Sequence, residues 1–247
     1  AACEWNDHSP RDAPCIHPFQ AATHGMPPTE TGSTLKPIGL LGGTFDPIHI
    51  GHLRLAEEMA EALGLEAVRF LPAGTPPHRA RPHASAADRL AMVQLAIAGN
   101  PRFRLDAHEV NKTVPCYMVD TLTELRGELG DEQPIVLLLG ADAFAGLESW
   151  HQWRRLFALC HIAVAERPGY DLARDLPSAL ATVCATRLTR HPDALAAAPS
   201  GKVFRHAISQ LDISASHIRT HVAAGRSPRY LLPDAVLNYI DQHRLYQ

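Results

Sequence analysis

The chain has 247 residues, of which 46% are apolar and 20% charged, with a formal net charge of −3. That length fits one domain with additions and can bury a substantial core, while the slightly acidic balance gives no basic footprint for a nucleic-acid partner. No apolar run approaches a membrane span, no charged-then-apolar leader is legible, and five scattered cysteines form no Cys-x-x-Cys, so a reduced cytoplasmic protein is expected.

Residues 1–36 are rich in Pro, Thr, Ser, His and Gly without periodicity and are expected to form a flexible tail preceding a domain over 37–247. Cys3, His8, Cys15 and His17 within it match no common zinc-finger spacing. Ile38–Leu41 is short, apolar and followed by Gly42-Gly43, as a buried strand ending in a tight turn is. Leu53, Ala56, Met59, Ala60 and Leu63 then recur at helical spacing and predict a helix over 50–63. Asp46-Pro47 is expected to open that helix, Asp as the N-cap and Pro as its first residue. Further strands are predicted at Ala67–Leu71, Phe103–Leu105, Ile135–Leu139, His161–Ala165 and Lys202–Phe204, with amphipathic stretches around 86–98, 117–129 and 151–158. This alternation predicts an α/β fold, a doubly wound, mostly parallel sheet with helices on both faces. Two C-terminal helices follow, near 215–223 and 234–242.

Gly42 to His52, GGTFDPIHIGH, thus sits at the carboxyl end of a strand, where open α/β sheets bind ligands. Glycines let a ligand approach the backbone, and a helix start attracts anions through unpaired N–H groups and its dipole. His49 and His52 share one helix face. Gly51 between them costs a helix roughly 0.5–1 kcal/mol relative to alanine, which makes sense where something bulky must pass close to the backbone. One histidine alone would read as a surface residue; the assembly reads as a phosphate site. No Walker A lysine, GxGxxG or HExxH occurs here.

A second helix start stands at Asp212–Arg219, DISASHIR. Ser214 is a plausible N-cap, with Ile213 and Ile218 placed for a hydrophobic staple. Ser216 lies in the first turn and Arg219 about one turn on, so hydroxyls, N–H groups and a guanidinium converge as a polyphosphate would require. A well-capped surface helix with an ordinary arginine is the alternative.

GGTFDPIHIGH resembles the GxFxPxHxGH signature of the nucleotidylyltransferase superfamily, and ISASHIR resembles its carboxy-terminal ISxTxxR signature, with Ser216 where threonine is usual. LPAGTPPHR (71–79), LLLGADAF (137–144), SWHQW (149–153), ERPGY (166–170) and LLPDAVLNYI (231–240) extend the likeness from residue 38 to 247. In this order they resemble the bacterial nicotinate-mononucleotide adenylyltransferases, which join ATP to nicotinate mononucleotide with Mg²⁺ and release deamido-NAD and pyrophosphate. The resemblance implies that His49 and His52 bind ATP phosphates, with Ser214 and Arg219 on the β- and γ-phosphates from the opposite side. It further implies that Gly43, Thr44 and Phe45 form the ATP-binding loop, Thr44 and Phe45 lending backbone amides, and that Asp142 meets the adenosine ribose. On the acceptor, His78 and Arg79 would approach the mononucleotide phosphate with help from Arg167. Trp150 would stack on the pyridine ring, and Tyr117-Met118 would present N–H groups to its carboxylate. Cys116-Tyr117-Met118 stands where Ser-Tyr-Thr is frequent, His151 replaces an aromatic, and Glu166 stands where a basic residue is common. A helix cap is the alternative reading of Asp142, and without the resemblance Trp150 and Trp153 read as packing residues.

In such a reaction the nucleophile is a substrate phosphate oxygen, already anionic at neutral pH, so no general base or covalent nucleophile is needed. The protein must position two anions and stabilise the departing charge. Histidines beside phosphates are expected to be biased toward the charged form. Three other readings compete. His49-Ile50-Gly51-His52 spells the HIGH signature of class I aminoacyl-tRNA synthetases, but no KMSKS-like lysine loop accompanies it. Another small adenylyltransferase would act on nicotinamide mononucleotide or phosphopantetheine. A non-catalytic nucleotide sensor would keep the fold without the turnover. No dedicated metal cage is visible, which suits an Mg²⁺ held mainly by substrate phosphates. No sequence feature selects an oligomeric state.

Overall fold

Seven strands, all parallel, form one sheet in the order β3-β2-β1-β4-β5-β7-β6. They are β1 (Ile38–Gly43), β2 (Ala67–Pro72), β3 (Phe103–Leu105), β4 (Ile135–Gly140), β5 (His161–Glu166), β6 (Leu188–Thr189) and β7 (Val203–Ala207). Among the described residues the α-helices are α1 (Ile50–Leu63), α2 (Ala86–Ile97), α3 (Met118–Leu129), α4 (Ala141–Ala145), α5 (Trp153–Leu159), α6 (Ser178–Cys184), α7 (Asp193–Ala196), α8 (Ala215–Ala223) and α9 (Asp234–Gln242). The computed structural model describes residues 35–74, 82–112, 114–166 and 176–247. Most of the expected tail, the stretch carrying His78 and Arg79, and Arg167 lie outside the described residues.

The six predicted strands and the six predicted helices are present, with ends shifted by a few residues. β7 runs on from Val203 to Ala207, and α5 begins at Trp153 rather than 151, after Gln152 in a left-handed conformation with φ 50°. β6 and the short helices α4, α6 and α7 had no periodicity long enough to be read.

Because parallel strands are buried on both faces, their apolar residues divide between two cores. Leu41, Val68, Phe70, Val136, Leu138 and Ala163 face one layer with α1, α2 and α9, through Met59, Met92 and Ile240. Leu40, Leu137, Leu139, Ile162 and Val164 face the other, with α3 and α5 through Leu122 and Leu156. β1 has β2 on one side and β4 on the other. The chain therefore winds in opposite directions from the sheet's centre, and the loops leaving β1 and β4 part to open a crevice at their carboxyl ends.

Candidate active site

A cleft of about 410 Å³ occupies that crevice. Gly42, Gly43 and Thr44 from the end of β1 line it, with Asp142 from the first turn of α4, Tyr117 and Met118 at the start of α3, and Trp150. Tyr117 is the N-cap of α3 and stacks obliquely on His151, ring centroids 4.5 Å apart. The Asp120 and Thr121 N–H groups bond the Tyr117 carbonyl, while those of Met118 and Val119 have no carbonyl one turn earlier in the helix, so a helix start opens onto the cleft. Asp142 is not the N-cap of α4; that position is Gly140. Trp153 is in the core at 7% exposed, while Trp150 lines the cleft.

The loop after β1 differs from expectation at Asp46-Pro47. Helix α1 starts at Ile50 and its N-cap is His49, in extended backbone at φ −147° and ψ 171°. Asp46, three residues earlier, is 5% exposed and joins distant segments instead. Its carboxylate accepts from the His83 and Ala84 N–H groups (2.8 and 3.0 Å) and from the Tyr246 hydroxyl (2.8 Å). Burial alone would raise the Asp46 pKa; these donors and the Arg219 charge outweigh it and hold the carboxyl below its ordinary value.

His49 and His52 pack against one another with ring centroids 3.7 Å apart and planes tilted by 30°, and Phe45 meets His52 edge-on at 5.0 Å. The His49 N–H donates to His52 Nδ1 (3.3 Å), which makes that nitrogen the acceptor and leaves the proton of a neutral ring on Nε2. Burial pushes the His49 pKa down to about 4. Burial, and then the neighbouring His49 charge, holds His52 well below its usual range. In the protein alone both rings are therefore neutral at pH 7; the charged form expected beside a phosphate belongs to the ligand-bound site. A bound anion would oppose this shift. A Cβ at Gly51 would come within 3.1 Å of the His49 ring, so the bulky group beside Gly51 is His49 itself, which would have to shift by a few tenths of an ångström to admit a side chain.

The second helix start closes on the first. Ser214 caps α8, its Oγ accepting from the His217 N–H (3.2 Å) and lying 3.1 Å from Ser216 Oγ. Arg219 Nη1 donates to the Asp46 carbonyl (2.7 Å), with the Asp46 carboxylate 4.0 Å away. The loop after β1 thus touches the cleft through Gly43 and Thr44 and the second helix start through Asp46.

Three neighbouring groups were not foreseen. Glu109, 5% exposed, lines the cleft and accepts from Thr121 Oγ1 (2.8 Å) and the Gly74 N–H (3.4 Å); burial raises its pKa, partly offset by the Thr121 hydroxyl. It sits in a loop without periodicity, which left no signal. Tyr246 reaches Asp46 across 200 residues of sequence. Arg89 lies on the apolar face of α2 beside Met92 and Val93, and that misplaced charge was the one available clue. Glu166, which stands where a basic residue is common, is ion-paired to Arg205 on the adjacent strand.

A parallel sheet with two helix starts converging at its reversal point defines a nucleotide-transferring α/β class. The family model described as cytidylyltransferase-like matches residues 40–221. The chain is 53% identical over 213 residues to the "Probable nicotinate-nucleotide adenylyltransferase" of Dechloromonas aromatica (strain RCB), covering 86% of this chain and 98% of that one. It is 47% identical over 212 residues to the protein of the same name from Pseudomonas aeruginosa (strain UCBPP-PA14), with the same coverage. Among solved structures, the Plasmodium falciparum nicotinic acid mononucleotide adenylyltransferase complexed with NaAD shares the fold at TM-score 0.64 and 16% identity, covering 85% of this chain and 97% of that one. The chain belongs to the nicotinate-nucleotide adenylyltransferase family.

Proposed function

We propose that the cleft brings ATP and nicotinate mononucleotide together, so that the mononucleotide phosphate attacks the α-phosphorus of ATP, giving deamido-NAD and pyrophosphate. The observation that carries this reading is the Arg219–Asp46 contact, which brings two helix starts, each suited to phosphate, to one loop. In this reading His49, His52, Ser214 and Arg219 would hold the ATP phosphates, with Gly43, Thr44 and Phe45 as the loop beneath them and Asp142 toward the ribose. Trp150, Tyr117 and Met118, which share the 410 Å³ cleft, would take the pyridine ring and its carboxylate. His78, Arg79 and Arg167 keep their proposed place on the acceptor phosphate from the sequence alone. The cytoplasm, as the source of ATP, would be the working compartment; among the described residues no helix is long and apolar enough to cross a membrane.

The donors around the loop are imidazoles, guanidinium and backbone N–H groups, which suit phosphate oxygens rather than Mg²⁺. The Asp46 carboxylate is already committed to two N–H groups and a hydroxyl. Mg²⁺ would therefore be held by the nucleotide's own phosphates and would neutralise their charge. The protein's part is positional: it aligns two anions and offers donors to the departing pyrophosphate.

The test is pyrophosphate release from Mg²⁺-ATP with nicotinate mononucleotide and nicotinamide mononucleotide compared side by side. A strong preference for the acid supports the reading. Equal use of both would keep the chemistry and assign the loss of preference to Cys116 and Met118. Release with neither would overturn the acceptor assignment.

A further inference from the structure

The loop after β1 is held from behind by a cation that neither signature contains. Arg89 is 1% exposed. Its Nη1 donates to the Thr44 carbonyl (2.7 Å) and its Nη2 to the Gly74 carbonyl (3.3 Å), so one planar fork ties the end of β1 to the end of β2. Its Nε–H is buried and has no partner among the described residues. The nearby carboxylate that favours its charge, Asp46, also faces Arg219. Two guanidiniums against one carboxylate leave a net positive charge under the loop. Burying a guanidinium whose hydrogen bonds go to neutral carbonyls is costly, and a fold retains such a group only where something offsets the cost.

Backbone geometry shows what Arg89 can do there. In a trans peptide the C=O and N–H point opposite ways. Fixing the Thr44 carbonyl from behind turns the Phe45 N–H to the other side of the loop. Phe45 has φ 50°, a left-handed backbone that a bulky residue rarely adopts and that surrounding contacts must hold. Arg89 holds the carbonyl before it, and Arg219 holds its successor's, that of Asp46.

We propose that Arg89 is a positioning residue of the phosphate site: it fixes the Thr44–Phe45 peptide so that its N–H faces the substrate, and it supplies a buried positive charge that a bound polyphosphate completes. The proposal rests on the reading that phosphates bind at this loop.

The test measures binding of Mg²⁺-pyrophosphate by calorimetry and by the ligand-induced rise in Tm, together with kcat and both KM values, for wild type, Arg89→Gln and Arg89→Lys. Arg89→Gln is expected to bind pyrophosphate about tenfold or more weakly, with a smaller ligand-induced rise in Tm and a lower kcat. Arg89→Lys keeps the charge without the fork, so affinity should recover more than kcat does. A folded Arg89→Gln with wild-type affinity and kcat overturns the proposal, even if its own Tm has fallen, because that pattern marks a purely structural role. Should Arg89→Gln fail to fold, wild-type affinity and kcat in Arg89→Lys overturn it equally, since lysine cannot hold both carbonyls in one plane. A wild-type protein that binds pyrophosphate in an Arg89-dependent way but makes no dinucleotide would overturn the reaction and support the role of Arg89. A wild-type protein that binds no pyrophosphate overturns both.

Discussion

Arg219 and Asp46 lie 173 residues apart in sequence and are joined by a 2.7 Å hydrogen bond from guanidinium to carbonyl. The bond makes one site of two helix starts, and it fixes the loop on which His49 stands. Arg219→Ala should lower kcat by about 10²–10³, the usual cost of removing one preorganised donor. The Tm should change little, because the side chain is partly exposed and water can replace it at the carbonyl. Pyrophosphate release beside a thermal melt checks both. A wild-type kcat would remove Arg219 from the machinery.

The histidine pair predicts how stability varies with pH. His49 has a folded pKa of about 4 against an ordinary 6.5. Between these values the unfolded chain binds the proton and the folded one does not, so stability is full above about pH 6.5 and falls as pH drops toward 4, by roughly 3 kcal/mol at most. His49→Asn should make the Tm profile less steep over that window, leaving the part that buried His52 contributes. His49→Ala and His52→Ala should each cut turnover by far more than tenfold at pH 7.5. Rates within tenfold of wild type for both would sink their assignment.

The same neutral rings should charge when phosphate arrives. Binding of pyrophosphate at pH 7 is then expected to take up protons, and affinity should rise as pH falls from 8 toward 6.5. Calorimetry in two buffers of different ionisation enthalpy measures the uptake. No difference between the buffers would mean that the histidines donate as neutral rings.

Gly74 ends the strand-to-loop transition after β2, and a Cβ there would stand 2.2 Å from the Glu109 carbonyl oxygen. Gly74→Ala must displace one backbone or the other, at a cost of about 1–3 kcal/mol. Since Glu109 lines the cleft beside Tyr117 and Met118, and the Gly74 carbonyl holds Arg89 beneath the phosphate loop, the KM values for nicotinate mononucleotide and for ATP should both rise. Steady-state kinetics with each substrate varied in turn provides the comparison.

Trp150 and Trp153 should behave oppositely. Trp150→Ala is expected to raise the KM for nicotinate mononucleotide up to about tenfold with little change in Tm, as loss of one stacking face does. Trp153→Ala empties a core position and should cost about 3–5 kcal/mol without a selective effect on either KM.

These residues also show what a sequence discloses. Each long strand is an apolar run between turn signals and each long helix an amphipathic stretch, so the alternation that builds the sheet was legible. The cap of α8 was legible because Ser214 acts through its own first turn. Asp46-Pro47 was misread because its partners are His83, Ala84, Arg219 and Tyr246, none of them local. Arg89 and Glu109 escaped for the same reason: what they hold lies in other segments, and no spacing within α2 or the 106–117 loop encodes it. Local chemistry could be read from the chain, and contacts made by the fold could not.

The Tyr246 hydroxyl on Asp46 has a consequence for synthesis. Residue 46 leaves the ribosome two hundred residues before the phenol that steadies it. A nascent chain can therefore lay down β1, α1 and β2 early, yet the Asp46 carboxylate stays without one of its donors until that late segment has emerged and docked. Nucleotide binding would mature only after that segment has docked, and a protease that clipped the chain ahead of Tyr246 would slacken the loop while leaving the sheet standing.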